Sequence, residues 1–211
     1  MVLKNFIALE GIDGSGTSTQ LKILSERPER EKFFITAEPT SSPTGVFLRR
    51  VLKGELTVEP RTAAFLFAAD RNEHINGAKG IREQIAQGKI AISDRYTFSS
   101  LAYQSVSCGW ELPYKLNEDF PLPQILFFFE IPPDVALKRI KNRNFTEIYE
   151  KREYLEKTAA AYKKTVSFYE KKGECGKNGR MKIVRLNAED SVEKTAEIIW
   201  SYMEDLPIFK E

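Results

Sequence analysis

The chain has 211 residues, with 32 Lys and Arg against 30 Asp and Glu, a single histidine and two cysteines. At roughly 100–200 residues per domain this is one domain or a tight pair with room for a real core. Apolar residues at 42% and charged residues at 29% exclude disordered and fibrous classes. A net charge of +2 leaves no broad electrostatic footprint for nucleic acid or an anionic membrane. Cys108, Cys175 and His74 are too few for a disulfide framework or a four-ligand zinc site.

Residues 1–10 lack a charged leader ahead of a long apolar run, so no signal peptide is expected. The most apolar stretch, Ile125-Leu126-Phe127-Phe128-Phe129, is far shorter than the ~20 residues of a membrane helix. The expectation is a soluble, reduced, cytoplasmic protein.

Short apolar runs at 6–10, 33–37, 90–94, 124–131 and 181–187 alternate with stretches of helical period, which predicts an α/β fold around a parallel sheet. The runs are mostly continuous rather than alternating, as for strands covered on both faces. A long helix is expected over 60–87, with a break marked by Gly77 and Gly80. Another spans 147–172, where Leu155, Ala159, Tyr162, Val166 and Tyr169 form one apolar stripe. The last, over 191–203, has Ser191 as its N-cap, but Lys194 stands where a capping box wants an acid or amide. Loop signals fall at 38–45, 108–120 and 173–180, and none argues for a domain boundary. His74 is expected on a surface or helix-facing position.

After the first strand comes Gly11-Ile12-Asp13-Gly14-Ser15-Gly16-Thr17-Ser18-Thr19-Gln20. A strand, a glycine-rich turn and a helix start form the geometry that aims several backbone N–H groups at one phosphate. The pattern is G-x-x-x-x-G-K-[ST] in every position but one, because Thr17 stands where lysine is expected. Ser18 remains in place to ligate Mg²⁺. Losing one charged donor to a transition state costs on the order of 10²–10³ in rate. Either another cation substitutes, or the protein binds nucleotide without fast turnover.

Four further constellations follow in the chain. Phe67 and Arg71 are four apart on one helix face, suited to stack on and bond to a pyrimidine, though a core Phe beside a surface Arg reads the same way. Asp94-Arg95-Tyr96 closes the third strand at the end where α/β crevices bind ligands, so Asp94 could hold Mg²⁺ through water and Arg95 could hold phosphate. Ser100, Tyr103 and Gln104 share one helix edge, where an amide can read a donor and an acceptor on a base. Lys138, Arg139, Lys141 and Arg143 put four cations into six residues, either a solvated face or a lid over transferring phosphates.

Together these motifs resemble the thymidylate kinase family of P-loop nucleoside monophosphate kinases, over nearly the whole chain and in that family's order. The resemblance covers residues 10–20, Glu38-Pro39, Leu48-Arg49, 67–71, 94–96, 99–104 and 131–139. It implies a five-stranded parallel sheet flanked by helices, a single kinase domain over residues 1–211 with a short lid at about 139–150, and transfer of a phosphoryl group from ATP to dTMP with Mg²⁺ as cofactor. A homodimer is implied as well, with neither nucleic acid nor membrane as partner.

The resemblance also implies roles for single residues. Gly11, Gly14, Ser15, Gly16, Thr17, Ser18 and Thr19 would hold the ATP phosphates. Ser18, Asp94 and Glu38 would hold or order the metal. Asp13 would contact the dTMP sugar and Glu38 the acceptor side, while Arg49 and Arg95 would hold its phosphate. Phe67 would stack on thymine, Arg71 would bond its edge, Ser100 and Gln104 would read the opposite side, and Tyr103 would select deoxyribose. Gly14 occupies the position where part of the family keeps a loop arginine, so this chain is of the lid-arginine kind, with Arg139 and Arg143 as the catalytic cations beside Asp13 and Arg95. Ala37 and Gln124 depart from the common Arg and Asp of the family at positions away from the chemistry. The rival readings are a kinase for another pyrimidine nucleotide or deoxynucleoside, and a nucleotide-binding protein without turnover.

Overall fold

The computed structural model describes residues 1–141, 151–172, 175–176 and 179–210. Its centre is a five-stranded sheet, β1 (Val2–Gly11), β2 (Phe33–Ala37), β3 (Ile90–Asp94), β4 (Leu122–Glu130) and β7 (Lys182–Asn187), in the order β2-β3-β1-β4-β7. Every pairing is parallel. The helices are α1 (Thr17–Ser25), α2 (Pro43–Leu52), α3 (Pro60–Asn76), α4 (Ile81–Ala86), α5 (Thr97–Cys108), α6 (Glu111–Asn117), α7 (Pro133–Ile140), α8 (Arg152–Lys172) and α9 (Val192–Met203). A small antiparallel pair, β5 (Cys175–Gly176) with β6 (Gly179–Arg180), lies in the segment expected to be a loop.

The burial pattern explains the sequence pattern. Phe6 to Gly11, Ile90 to Ser93 and Ile125 to Phe129 are buried without a break, because helices cover the central strands on both faces. The edge strand β7 instead alternates, with Val184 and Leu186 inside and Arg185 and Asn187 outside. Ser191 caps α9 by accepting from the backbone N–H of Lys194 at 3.2 Å. In α8, Leu155, Tyr162, Val166 and Tyr169 are buried as expected, whereas Ala159 is only half-buried. The described part of that helix begins at Arg152, and residues 147–150 lie outside the described residues.

The helix expected over 60–87 is two, with Gly77 and Gly80 between them. Three short helices were not expected. Ser42 accepts from Gly45 N at 3.1 Å and, with Pro43 at the first position, starts α2 inside a presumed loop. The other two are α6 and α7. Helix α6 is held by tertiary packing, its Tyr114 stacking on Trp110 at 5.8 Å and meeting Phe168 of α8 edge-on at 5.7 Å.

The C-terminal ends of β1, β2 and β3 surround one crevice, beside the place where the chain's direction of travel across the sheet reverses. Register sets the alignment there: Leu9 pairs with Asp94, and Asp94 with Ala37. Phe127, on a central strand, has no exposed surface and meets Tyr202 of α9 at 6.1 Å. Replacing Phe127 with Ala should cost about 3–5 kcal/mol, read as a fall in the urea midpoint with an unchanged slope.

Candidate active site

The turn after β1 owes its shape to two glycines in the left-handed region, Gly14 at φ +83° and Gly16 at φ +101°. At Gly14 a Cβ would also come within 2.7 Å of the Ala136 carbonyl of α7, so no larger residue fits. Gly16 caps α1 without a side-chain bond, and the first turn of α1 carries no acid. That is a helix N-terminus suited to an anion.

Opposite this turn, Ser18 donates to Asp94 Oδ2 at 2.9 Å, and the other Asp94 oxygen, Oδ1, is buried with no hydrogen-bond partner among the described residues. The same crevice continues into a cavity of about 260 Å³. Fifteen of the expected residues line it: Asp13, Gly14, Gly16, Thr17, Ser18, Thr19, Glu38, Arg49, Phe67, Arg71, Asp94, Arg95, Ser100, Tyr103 and Gln104. Gly11 and Ser15 lie beneath the lining, where Gly11 lends its carbonyl to Arg95 at 3.0 Å. Ser15 is buried, its hydroxyl without a hydrogen-bond partner among the described residues. Arg139 stands beside the lining and donates to the Gly14 carbonyl at 3.3 Å and the Ala188 carbonyl at 2.8 Å. Arg143, and the expected lid beyond Lys141, fall outside the described residues.

Two of the carboxylates at the rim, Asp13 and Glu38, are paired with arginines. Asp13 takes hydrogen bonds from the Arg95 guanidinium and, at 2.8 Å, from the Tyr103 hydroxyl. Glu38 accepts from Arg71 on one oxygen and meets His74 Nδ1 at 2.9 Å on the other. Burial works to raise the Glu38 pKa, but Arg71 and His74 outweigh it and hold the group below its usual 4.5. Both Glu38 oxygens are therefore committed, one to Arg71 and one to His74. Glu38 holds the Arg71 guanidinium in place. That guanidinium is 1% exposed and also donates to Ser100 at 3.1 Å and to Asn117. Arg49 donates to the Pro39 carbonyl at the pocket mouth.

His74 departs from the expected surface position. It is 6% exposed and also meets Thr36 Oγ1 at 2.8 Å, because α3 turns a polar face inward toward the segment after β2. On that face Asp70 accepts from Thr40 N at 2.7 Å, Thr40 Oγ1 at 2.6 Å and Ser42 Oγ at 2.8 Å, so it fastens the loop that carries Glu38. His74 lies four residues after Asp70 and three after Arg71, and that helical spacing was a usable signal. Asn117 offered none, since its position depends on how α6 docks.

A match to the thymidylate kinase family model runs over residues 9–199. This chain belongs to the thymidylate kinase family. Three relatives named for the same family agree with the match. The Treponema pallidum protein is 37% identical over 210 residues, covering 97% of each chain. That of Methanocaldococcus jannaschii is 36% identical over 208 residues, covering 98% of this chain and 100% of the relative. That of Thermococcus kodakarensis is 40% identical over 158 residues, covering 69% and 76%. No described helix is long and apolar enough to cross a membrane.

Beneath the site, burial raises the Glu10 carboxyl to about 7, against hydrogen bonds from Ser99 and Tyr162 and the charge of Arg95. A raised carboxyl pKa means the folded chain holds a proton that the unfolded chain has already lost. Stability from this group is therefore full below about pH 4.5 and lost as pH rises to about 7. Relative to Glu10→Gln, the native protein should lose about 3 kcal/mol across that window. Denaturant unfolding at a series of pH values would show it, and parallel curves would contradict it.

Proposed function

We propose that this member of the thymidylate kinase family transfers the γ-phosphoryl group of ATP to dTMP, giving ADP and dTDP for dTTP synthesis. One observation carries the choice of acceptor: Asp13 and Glu38, the rim carboxylates beside the acceptor pocket, are both spent on arginines, while Asp94 is bonded to Ser18 on the donor side. A kinase acting on a hydroxyl needs a free general base. A monophosphate dianion, with its second pKa near 6, needs no base but needs cations. Arg49 and Arg95 line the pocket to supply them.

In this reading the loop from Gly11 to Thr19 cradles the donor phosphates, and Arg95 holds the acceptor phosphate against them. An acceptor oxygen attacks the γ-phosphorus, the bond to the β–γ bridging oxygen breaks, and ADP leaves with that electron pair. The orphaned Asp94 Oδ1 beside Ser18 fits a hydrated cation. Mg²⁺, when bound there with ATP, neutralises charge on the phosphate oxygens. Phe67 supplies the face for thymine. The unpartnered amide oxygen of Gln104 and the spare donors of Arg71 suit a base with an N3–H and a neighbouring carbonyl, which thymine has and cytosine lacks. Tyr103, fixed on Asp13, closes the space that a 2′-hydroxyl needs.

Thr17 offers a neutral hydroxyl where a lysine would carry charge. The missing charge is assigned to Arg139 and Arg143, within a single kinase domain whose lid spans about 139–150. A homodimer in the cytoplasm belongs to the same proposal, supported by exposed Val46 and Phe47 on α2 and Phe65 on α3.

Native protein given ATP with Mg²⁺ should form ADP faster with dTMP than with dUMP, UMP or thymidine. Thr17→Lys should raise turnover on the order of 10- to 100-fold. Turnover with thymidine alone would overturn the acceptor assignment. Silence in the native protein with rescue by lysine would leave a nucleotide-binding protein instead. Phe67→Ala should raise KM for dTMP by about 10-fold or more and leave KM for ATP within about 3-fold.

A further inference from the structure

The proposed reaction leaves one buried acid of the site without a task. Glu10, at the end of β1, has no exposed surface, yet four hydrogen bonds converge on it. Oε1 accepts from Tyr96 N at 2.7 Å and Ser99 N at 3.2 Å. Oε2 accepts from Ser99 Oγ at 2.7 Å and the Tyr162 hydroxyl of α8 at 2.8 Å. Tyr96 is the N-cap residue of α5 and makes no side-chain cap bond of its own. Glu10 thus does from a neighbouring strand what a cap residue does locally, accepting from the N–H of the cap residue and of the third residue of the helix.

Between β3 and that cap stands Arg95, whose φ of +70° is unusual for a residue with a side chain. Its Nη1 reaches the same two hydroxyls that Glu10 holds, Ser99 at 3.4 Å and Tyr162 at 3.3 Å. The carboxyl and the guanidinium therefore share one hydroxyl pair, and the turn joining them is anchored at both ends.

We propose that Glu10 is a positioning residue for the acceptor phosphate: by capping α5 from β1 it holds Arg95 in the left-handed turn that presents its guanidinium to the crevice. The inference rests on the reading of Arg95 as the group that binds the dTMP phosphate. The charged and titratable groups facing Glu10 are Arg95 after β3 and Tyr162 on α8, with Asp13, Asp94 and Tyr103 around Arg95. Burial pushes the Tyr103 and Tyr162 hydroxyls up, so both stay neutral donors. A carboxyl near 7 accepts from all four donors only once ionised, and on protonation Oε2 turns toward a hydroxyl as a donor.

The test is calorimetric titration of dTMP, and separately of a non-hydrolysable ATP analogue with Mg²⁺, into the native protein, Glu10→Ala, Glu10→Gln and Ser99→Ala. Glu10→Ala should weaken dTMP by about 10- to 100-fold and the ATP analogue by less than about 3-fold. Ser99→Ala should weaken dTMP by about 3- to 10-fold. Glu10→Gln, which keeps the backbone acceptor, should restore dTMP binding to within about 5-fold at pH 6. Between pH 6 and 8 the ratio of native to Gln affinity should rise by about 3-fold or more, since ionisation of dTMP itself affects both alike. Equal loss of both ligands, or dTMP binding untouched by Glu10→Ala, overturns the inference. If the Ala variant does not fold, a flat native-to-Gln ratio across that pH range overturns it as well. Native protein that binds the ATP analogue but no dTMP overturns the functional reading and this inference with it.

Discussion

The crevice depends on the turn at Arg95. An L-residue in the left-handed region costs about 1–2 kcal/mol, because its Cβ crowds a neighbouring carbonyl. The cost is met from several directions at once. The Arg95 N–H donates to Leu9 at 2.9 Å, its carbonyl accepts from Ser93 at 2.7 Å, and its guanidinium reaches Gly11 and Asp13. Strand β1, the glycine turn, β3, α5 and α8 thus meet at one side chain. That meeting fixes Asp13 and, through Asp13, the Tyr103 hydroxyl.

Two carboxylates of the same chemical type show what surroundings do to charge. Glu10 and Glu38 are both buried, so desolvation pushes each upward. Glu38 lies against the Arg71 guanidinium and the His74 ring, and their attraction outweighs burial. Glu10 lies against hydroxyls and backbone N–H groups, with Arg95 acting only at longer range, and burial prevails. The first is a fixed charge that aims an arginine at a proposed base. The second is a carboxyl poised near neutrality beneath the proposed phosphate site.

Much of the site was legible because its residues are local in sequence. The glycine turn, Ser18, Asp94-Arg95, Phe67 with Arg71, and the Ser100-Tyr103-Gln104 edge each follow a spacing of three or four residues or a strand end. All of them line the same cavity. The polar face of α3 was half legible: His74 stands at helical spacing from both Asp70 and Arg71, but their inward direction needed the segment after β2 to meet them. Short helices such as α6 escaped notice because isolated segments of that length are unstable, and here aromatic packing on α8 holds one in place.

The sequence by itself determined the alternation of strands and helices, the fold class and the family, because continuous apolar strands and a glycine turn are statements about neighbours in the chain. It also carried the substitution of Thr17 for lysine. Only the tertiary structure decided which acids are spent on which cations, that Glu38 aims Arg71 rather than offering a free oxygen, and that Glu10 caps a helix it does not belong to. Those pairings join residues 86 and 89 positions apart for Glu10 and 33 apart for Glu38. Contacts over such separations arise from strand register and helix docking, which no local spacing encodes.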